Sequence, residues 1–338
     1  MLHRSFASVI LVKMKKLLCV ILSILFGLPP LPAFAWSEGG HHIIAVMAFD
    51  LLTKAEKAKL VAILEKHPRF TEDFSPPEKL PNGEEVTRWR IGHAGYWPDV
   101  ARRQPKYHRS TWHYELGPTL IIGNPANMKV PERPGMLPID ANLEMQSLYI
   151  AQALTLCGKT LADAQQPESD RALALCWIAH LVADAHQPCH AGSLYMEKVF
   201  IEEDGDRGAN RIITKQKKNM HALWDQLLGD SFTLNGTRKR IVEITSDGEL
   251  IAKGKQAVAA TDGLNPLTWL AESRAAAISH VYTAEVMDSL SLVVRGVIAK
   301  PDAIELSEAY LKNAGRVAQV RAIEASRRLA ETWRMAIK

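Results

Sequence analysis

Residues 170–190 read DRALALCWIAHLVADAHQPCH, and the way this stretch folds decides the architecture. Apolar residues recur at helical spacing and Pro188 closes the run, so the sequence predicts an amphipathic helix that stops just before the proline. On such a helix His180 and Asp184, four residues apart, share one face about 6 Å from each other along the axis. His190 follows the proline, where the chain has left the helix and can fold back toward that face. Residues 221–225, HALWD, repeat the device with His221 and Asp225. Imidazole and carboxylate both ligate zinc, and two such pairs are what a multinuclear site needs. A helix-face His–Asp ion pair is the simpler reading of either pair taken alone.

The same helical periodicity runs through most of the chain. HHIIAVMAFDLL (41–52) is apolar at helical spacing, and Thr53-Lys-Ala-Glu56 forms a capping box that opens a second helix, stopped by Pro68. PIDANLEMQSLYIAQALTLC (138–157), NMHALWDQLL (219–228), PLTWLAESRAAAISHVYTAEV (266–286) and the stretch 306–337 read as further helices. Segments 71–87, 117–137 and 191–218 are rich in Pro, Gly and charge and read as loops. Within the last of these, Val199-Phe200 and Arg211-Ile212-Ile213 could pair as a small hairpin. There is no internal repeat and no long linker. The expectation is an all-α fold: a single-domain multi-helix bundle over 36–338 with a small β-hairpin in a loop.

Residues 1–35 read differently. Lys13, Lys15 and Lys16 flank the apolar run LLCVILSILFGLPPLP, and Ala33-Phe34-Ala35 supplies the small residues of a cleavage site. This reads as a signal peptide, with a retained membrane anchor as the alternative, so the chain from Trp36 is expected to be exported, periplasmic or extracellular, with no stable membrane anchor after cleavage. The leader carries Arg4 and those three lysines and no acid. Without it the 41 basic residues fall to 37, equal to the 37 acidic ones. A neutral mature chain has no broad electrostatic grip on nucleic acid, so recognition of a polyanion must be local, for instance through metal ions. Beyond the leader there are Cys157, Cys176 and Cys189, too few for a disulfide scaffold. Cys157 and Cys176 are the pair best separated for a bridge, but on a helical hairpin their heights differ, against good disulfide geometry.

Shorter motifs extend the histidine–aspartate pattern. YWPDVAR (96–102) places Asp99 after an aromatic-Pro step with Arg102 three residues on, and TWHYE (111–115) sets His113 between Trp112 and Tyr114. Trp36 precedes His41 by five positions. The order is therefore W-x4-H, D, H, H-x3-D-x5-H, H-x3-D. In this order and spacing the chain resembles the zinc-dependent single-strand nucleases of fungi, plants and bacteria, the S-one/P-one type. The likeness runs from Trp36 to the C-terminus, where WLAESRAAA and ASRRLAETW are similar to that family's last helices.

The resemblance implies three zinc ions. Asp99, His113, His180 and Asp184 would hold one. Trp36, through its α-amino nitrogen and carbonyl oxygen, would hold another with His41 and Asp184, and His190, His221 and Asp225 the third. Asp184 would bridge two ions and serve the catalytic step there, with Arg102 on the scissile phosphate, where a guanidinium can fork onto two oxygens. Tyr114 would offer a stacking platform for a base, and Asn210, in Gly208-Ala209-Asn210 where the family commonly has GGN, would line the site. The expected activity is hydrolysis of single-stranded DNA and RNA to 5′-mononucleotides by a monomer, with 3′-nucleotidase action as a side activity. The chain departs from fungal members at Leu116, where they carry an acidic base-reading residue, and Glu115 is expected to point elsewhere. His42, His67, His93, His108, His186 and His280 fall outside the ligand pattern and read as structural or solvent-facing. Two rivals stand beside this reading. Zinc phospholipase C uses a similar three-zinc helical site, but its first histidine lies farther from the tryptophan and its last pair ends in Glu rather than Asp225. A non-catalytic zinc store would need no Arg102.

Overall fold

The structure, a computed structural model, describes residues 36–77 and 79–338; the signal-peptide reading of 1–35 lies outside them. The helices are α1 (Glu38–Asp50), α2 (Lys54–Leu64), α3 (Phe70–Asp73), α4 (Gly83–Ala101), α5 (Ile150–Ala162), α6 (Glu168–Ala185), α7 (Met220–Asp225), α8 (Leu234–Thr245), α9 (Gly248–Ala259), α10 (Pro266–Ala276), α11 (Ala284–Val294) and α12 (Glu308–Ala336). Single 3-10 turns at Ser110–His113 and Pro188–His190 interrupt the loops. The all-α expectation holds, and no helix among the described residues is long and apolar enough to cross a membrane.

Helix α6 is the axis of the molecule. Every residue from Ala174 to Ala185 is buried, so the stretch expected to be amphipathic is covered on all sides, the situation of a helix apolar all round. Helices α1, α2, α4, α5, α10 and α12 pack around it. Small residues bring three of these helices close: a Cβ at Gly95 on α4 would lie 3.1 Å from the Cβ of Ala45 on α1 and 3.8 Å from that of Ala179 on α6. That approach sets the C-terminal halves of α4 and α6 against the start of α1. Helix α12 is fastened by buried arginines. Arg328, fully buried, forks onto Glu272 at 2.6 and 2.7 Å and reaches His186 Nε2 at 2.9 Å. Arg321 bonds the His186 carbonyl and Ser273. His186 is thus a structural residue.

Four local expectations fail, each for a physical reason. Within 71–87, read as loop, α4 already begins at Gly83, because Asn82 Oδ1 accepts from Glu85 N at 2.9 Å and caps it. Residues 138–149 are turns, and the helix begins only at Ile150. Side chains from the preceding loop take the carbonyls a helix would use: Arg109 bonds that of Leu143, Trp112 that of Met145, and Thr111 those of Gln146 and Leu148. The expected hairpin does not form. Instead β1 (Pro118–Ile122), in a segment read as loop, pairs in parallel with β2 (Ser193–Met196). The β-branched residues Thr119, Ile121 and Ile122 were the overlooked signal. Val199-Phe200 contributes one antiparallel bridge, Met196 to Phe200. Finally, 266–286 is not one helix: after a π turn at Ala277–Val281, Tyr282 and Thr283 separate α10 from α11. The Thr53 capping box forms as expected, with Thr53 and Glu56 exchanging bonds of 2.7 and 3.3 Å. Cys157, Cys176 and Cys189 are buried free thiols, with no bridge between them.

Candidate metal centre

Asp184, fully buried at the penultimate position of α6, is the hub. His180 Nε2 lies 3.0 Å from its Oδ2 and His113 Nδ1 3.4 Å from the same atom, while His41 Nε2 approaches Oδ1 at 3.5 Å. Asp99 adds Oδ1 at 3.9 Å from His113 Nδ1, and the His41 and His180 rings stack at 4.1 Å. A second focus lies beside it. His221 Nε2 is 3.5 Å from Asp225 Oδ2, and His190 Nε2 is 3.8 Å from Asp225 Oδ1. His190 Nδ1 is also 3.9 Å from Asp184, which links the two foci.

Three sets of three side chains each bring ligand atoms within 4.8 Å of one another: His41, Asp99 and His180; His113, His180 and Asp184; His190, His221 and Asp225. All are buried. The helix-face spacing in α6 and α7 delivers the two His–Asp pairs, and the 3-10 turn after Pro188 folds His190 back between them.

Tautomers are set by backbone carbonyls. His180 donates Nδ1–H to Gly95 at 2.8 Å, His221 donates Nδ1–H to Gly208 at 2.5 Å, and His190 donates Nδ1–H to His113. In each case Nε2 is left to face the centre, the arrangement ligating histidines use. Gln187 was not foreseen. It donates Nε2–H to Asp225 Oδ1 at 2.6 Å and so fixes which oxygen faces His221. Asn219 was also missed: its Oδ1 caps α7 through Ala222 N at 2.8 Å, and its Nδ2 donates to Asn210 Oδ1 at 3.3 Å. Both lie next to ligand motifs in sequence, where a polar residue flanking a short helix was the available signal.

The donor set fits metal. His41 Nδ1 and Nε2, Asp99 Oδ2, His113 Nε2, both Asp184 oxygens and His190 Nε2 are buried without a hydrogen-bond partner. Each such atom costs about 1–3 kcal/mol unless something binds it. Burial, reinforced by neighbouring cationic groups, holds His41 and His113 well below the usual imidazole range, the neutral form that ligates. Burial opposes protonation of His180, but Asp184 and Asp99 outweigh it and hold its pKa up. Burial would raise Asp184, yet His180, His190 and His113 keep it well below the carboxylate range. Burial pushes Asp225 well above that range, with Asp184 and Asp99 adding to it. Closely spaced carboxylates in a dry pocket are the condition a cation relieves.

The other expected site residues occupy distinct places. Trp36 is fully buried, its Nε1 donating to the Ala183 carbonyl at 2.9 Å, and the next N–H, of Ser37, donates to the Asp225 carbonyl at 3.0 Å. Arg102 caps α4, its Nε 2.6 Å from Asp99 Oδ1. Tyr114 is 39 % exposed, its ring edge-on to Tyr149 at 5.7 Å. Asn210 ties its own turn together, donating Nδ2–H to the Arg207 carbonyl at 2.8 Å. Glu115 does point elsewhere: it is buried and accepts from Ala151 N at the start of α5. Cys189 is a buried thiol and joins none of the ligand groups. Ala209 stands at φ +67° between Gly208 and Asn210, so the alanine in place of the usual second glycine sits in a left-handed conformation.

A search of curated proteins finds none that matches the sequence. The model of the family described as S1/P1 Nuclease matches residues 36–338, the whole length that holds the histidine–aspartate pattern. With that match and this site on one frame, the chain belongs to the S1/P1 nuclease family, metal-dependent hydrolases of nucleic-acid phosphodiester bonds.

Proposed function

We propose that this nuclease holds three zinc ions and hydrolyses single-stranded DNA and RNA to 5′-mononucleotides, with 3′-nucleotides as secondary substrates. The observation that carries the reading is the convergence of buried, partnerless ligand atoms from five separate segments on Asp184 and Asp225. Asp99, His113, His180 and Asp184 would hold one ion; Trp36, His41 and Asp184 a second; His190, His221 and Asp225 the third. Bound there, zinc lowers the pKa of a water from 15.7 to about 7 and offsets charge on the phosphate.

The protein's own groups do the remainder. Asp184 turns Oδ1 toward His41 and Oδ2 toward His113 and His180, so its two oxygens could each serve a different ion. Arg102, whose Nε stands 2.6 Å from Asp99 Oδ1, would steady a phosphate oxygen, where a delocalised planar cation suits the spread charge. The carbonyls of Gly95, His113 and Gly208 hold the imidazoles of His180, His190 and His221, and the amide of Gln187 holds the Asp225 carboxylate, so these four side chains need little reorganisation. Tyr114, half in solvent beyond His113, offers its ring to an unstacked base. Asn210, through Asn219, holds the rim of the third ligand set. A duplex keeps its bases stacked and denies that contact, which favours single strands.

The reading is tested by supplying the chain that begins at Trp36 with single-stranded DNA, RNA and phosphatidylcholine, with and without chelator. The expected products are 5′-mononucleotides from both nucleic acids, abolished by chelation. Turnover of lipid without nucleotide release would instead support a phospholipase. We further propose export through cleavage after Ala35, which would create the Trp36 amino terminus that the second ion requires.

A further inference from the structure

A fourth cluster with ligand character lies outside the set that the nuclease pattern uses. Glu38 and His42 stand four apart on α1, and His93 faces them from α4; one ligand atom from each lies within 4.8 Å of the others, the same closeness the three catalytic sets show. None of the three belongs to the histidine–aspartate order that marks the family, and the sequence reading had set His42 and His93 aside as structural.

Their surroundings leave the imidazoles only partly satisfied, while Glu38 accepts a backbone bond from Phe232. His42 is fully buried, with neither ring nitrogen hydrogen-bonded, and His93 is 8 % exposed, with its Nδ1 buried and unpartnered. A backbone bond to Asp73 meanwhile holds the His93 ring in place, the anchoring seen for the catalytic imidazoles. An ion that took one nitrogen from each ring would relieve two of these three orphaned atoms, each worth about 1–3 kcal/mol. The pocket is also shaped for the rings. A Cβ at Gly92 would fall 2.3 Å from His42 Nδ1, so only glycine there admits the imidazole between the helices. Trp89 stacks on His93 at 4.6 Å and Phe232 covers His42 at 4.8 Å, which walls off two sides. Glu38, only partly buried, leaves a side open to solvent by which an ion could enter.

We propose that Glu38, His42 and His93 bind a further divalent cation, zinc or a zinc-like ion, that clamps α1 to α4 apart from the catalytic centre. Two imidazoles and one carboxylate form a zinc donor set, with water completing the shell. Around an ion with bonds of about 2.0–2.1 Å, tetrahedral ligand atoms stand roughly 3.4 Å apart, so the loaded site draws the three side chains slightly together. The ion's role is to fasten α1 to α4, outside the ligand sets of the catalytic centre.

The test is the zinc content per chain, by mass spectrometry of the zinc-loaded protein, of the unaltered chain and of His93→Gln and Glu38→Gln. Each substitution is expected to remove one ion per chain, to lower the melting temperature measured in zinc, and to leave chelator-sensitive cleavage of single-stranded DNA in place. Glu38 is partly exposed, so Glu38→Gln reports even if His93→Gln fails to fold. Identical zinc content in all three proteins would overturn the proposal. A loss of one ion in the variants, with no nuclease activity in any of the three, would uphold this site and count against the catalytic reading instead.

Discussion

A Cβ at Gly208 would lie 2.2 Å from the carbonyl oxygen of Cys189, at a backbone φ of +57°. The carbonyl of the same residue fixes His221, so Gly208→Ala is expected to cost about 2 kcal/mol or more through strain and displacement. Thermal melting would show that loss, and nucleic-acid cleavage would fall with it as His221 turns. Gln187→Met keeps the volume but removes the donor to Asp225 Oδ1. Loss of such an outer partner lowers metal affinity or activity by about 10–100-fold, measurable by zinc titration and by rate. Away from the centre, burial against Trp97 and Phe74 pushes the His67 pKa down to about 3, and its Nδ1 accepts from Arg69 N. The folded protein therefore refuses a proton that the unfolded chain takes up near pH 6.5. Stability is full above that pH and falls as pH drops from 6.5 toward 3, by about 2 kcal/mol at pH 5 from this residue. Denaturant melts at pH 7 and pH 5 should show that His67→Phe flattens this part of the acid loss.

Helix α7 illustrates how an element too short to be stable alone serves the site. It has six residues, well under the length at which an isolated helix holds in water, and Asn219 caps it. Asn219→Ala is expected to cost about 1 kcal/mol and to weaken zinc retention by His221 and Asp225 more than by the other ligands. Helix α12 is docked by Arg328, whose loss in Arg328→Ala strips His186 of a buried partner and leaves Glu272 to Arg321 alone; about 1–3 kcal/mol is expected by melting. At this scale the sequence was legible where periodicity was long and caps were explicit, as in α2 and α12. It was not legible at 138–149, because Arg109, Thr111 and Trp112 claim those carbonyls from outside the segment, a tertiary effect no local pattern carries. The parallel pairing of β1 with β2 was hidden for the same reason: its partners stand more than seventy residues apart.

Across the whole molecule, the spacing of histidines and aspartates pointed to side chains that the fold does bring together, since i,i+4 pairs on helices and one turn after Pro188 need little beyond local geometry. What spacing could not supply was the support: the carbonyls of Gly95 and Gly208, the Gln187 amide, and the Glu38–His42–His93 cluster, all of which depend on which helices touch. Trp36 belongs to this scale as well. It is sealed against the end of α6, and Ser37 is bonded to Asp225, so the chain passes directly beside the centre. A chain with one alanine added before Trp36 should cleave single-stranded DNA more slowly than one beginning at Trp36, by at least about 10-fold, since even an outer partner of a metal is worth that. The most direct measurement is anomalous X-ray diffraction at the zinc edge from crystals of the chain beginning at Trp36. The account predicts one peak among Asp99, His113, His180 and Asp184, a second between His41, Asp184 and the Trp36 amino group, and a third among His190, His221 and Asp225, with Asp184 touching two. Fewer than three peaks at these side chains, or an Asp184 that touches only one, would contradict it.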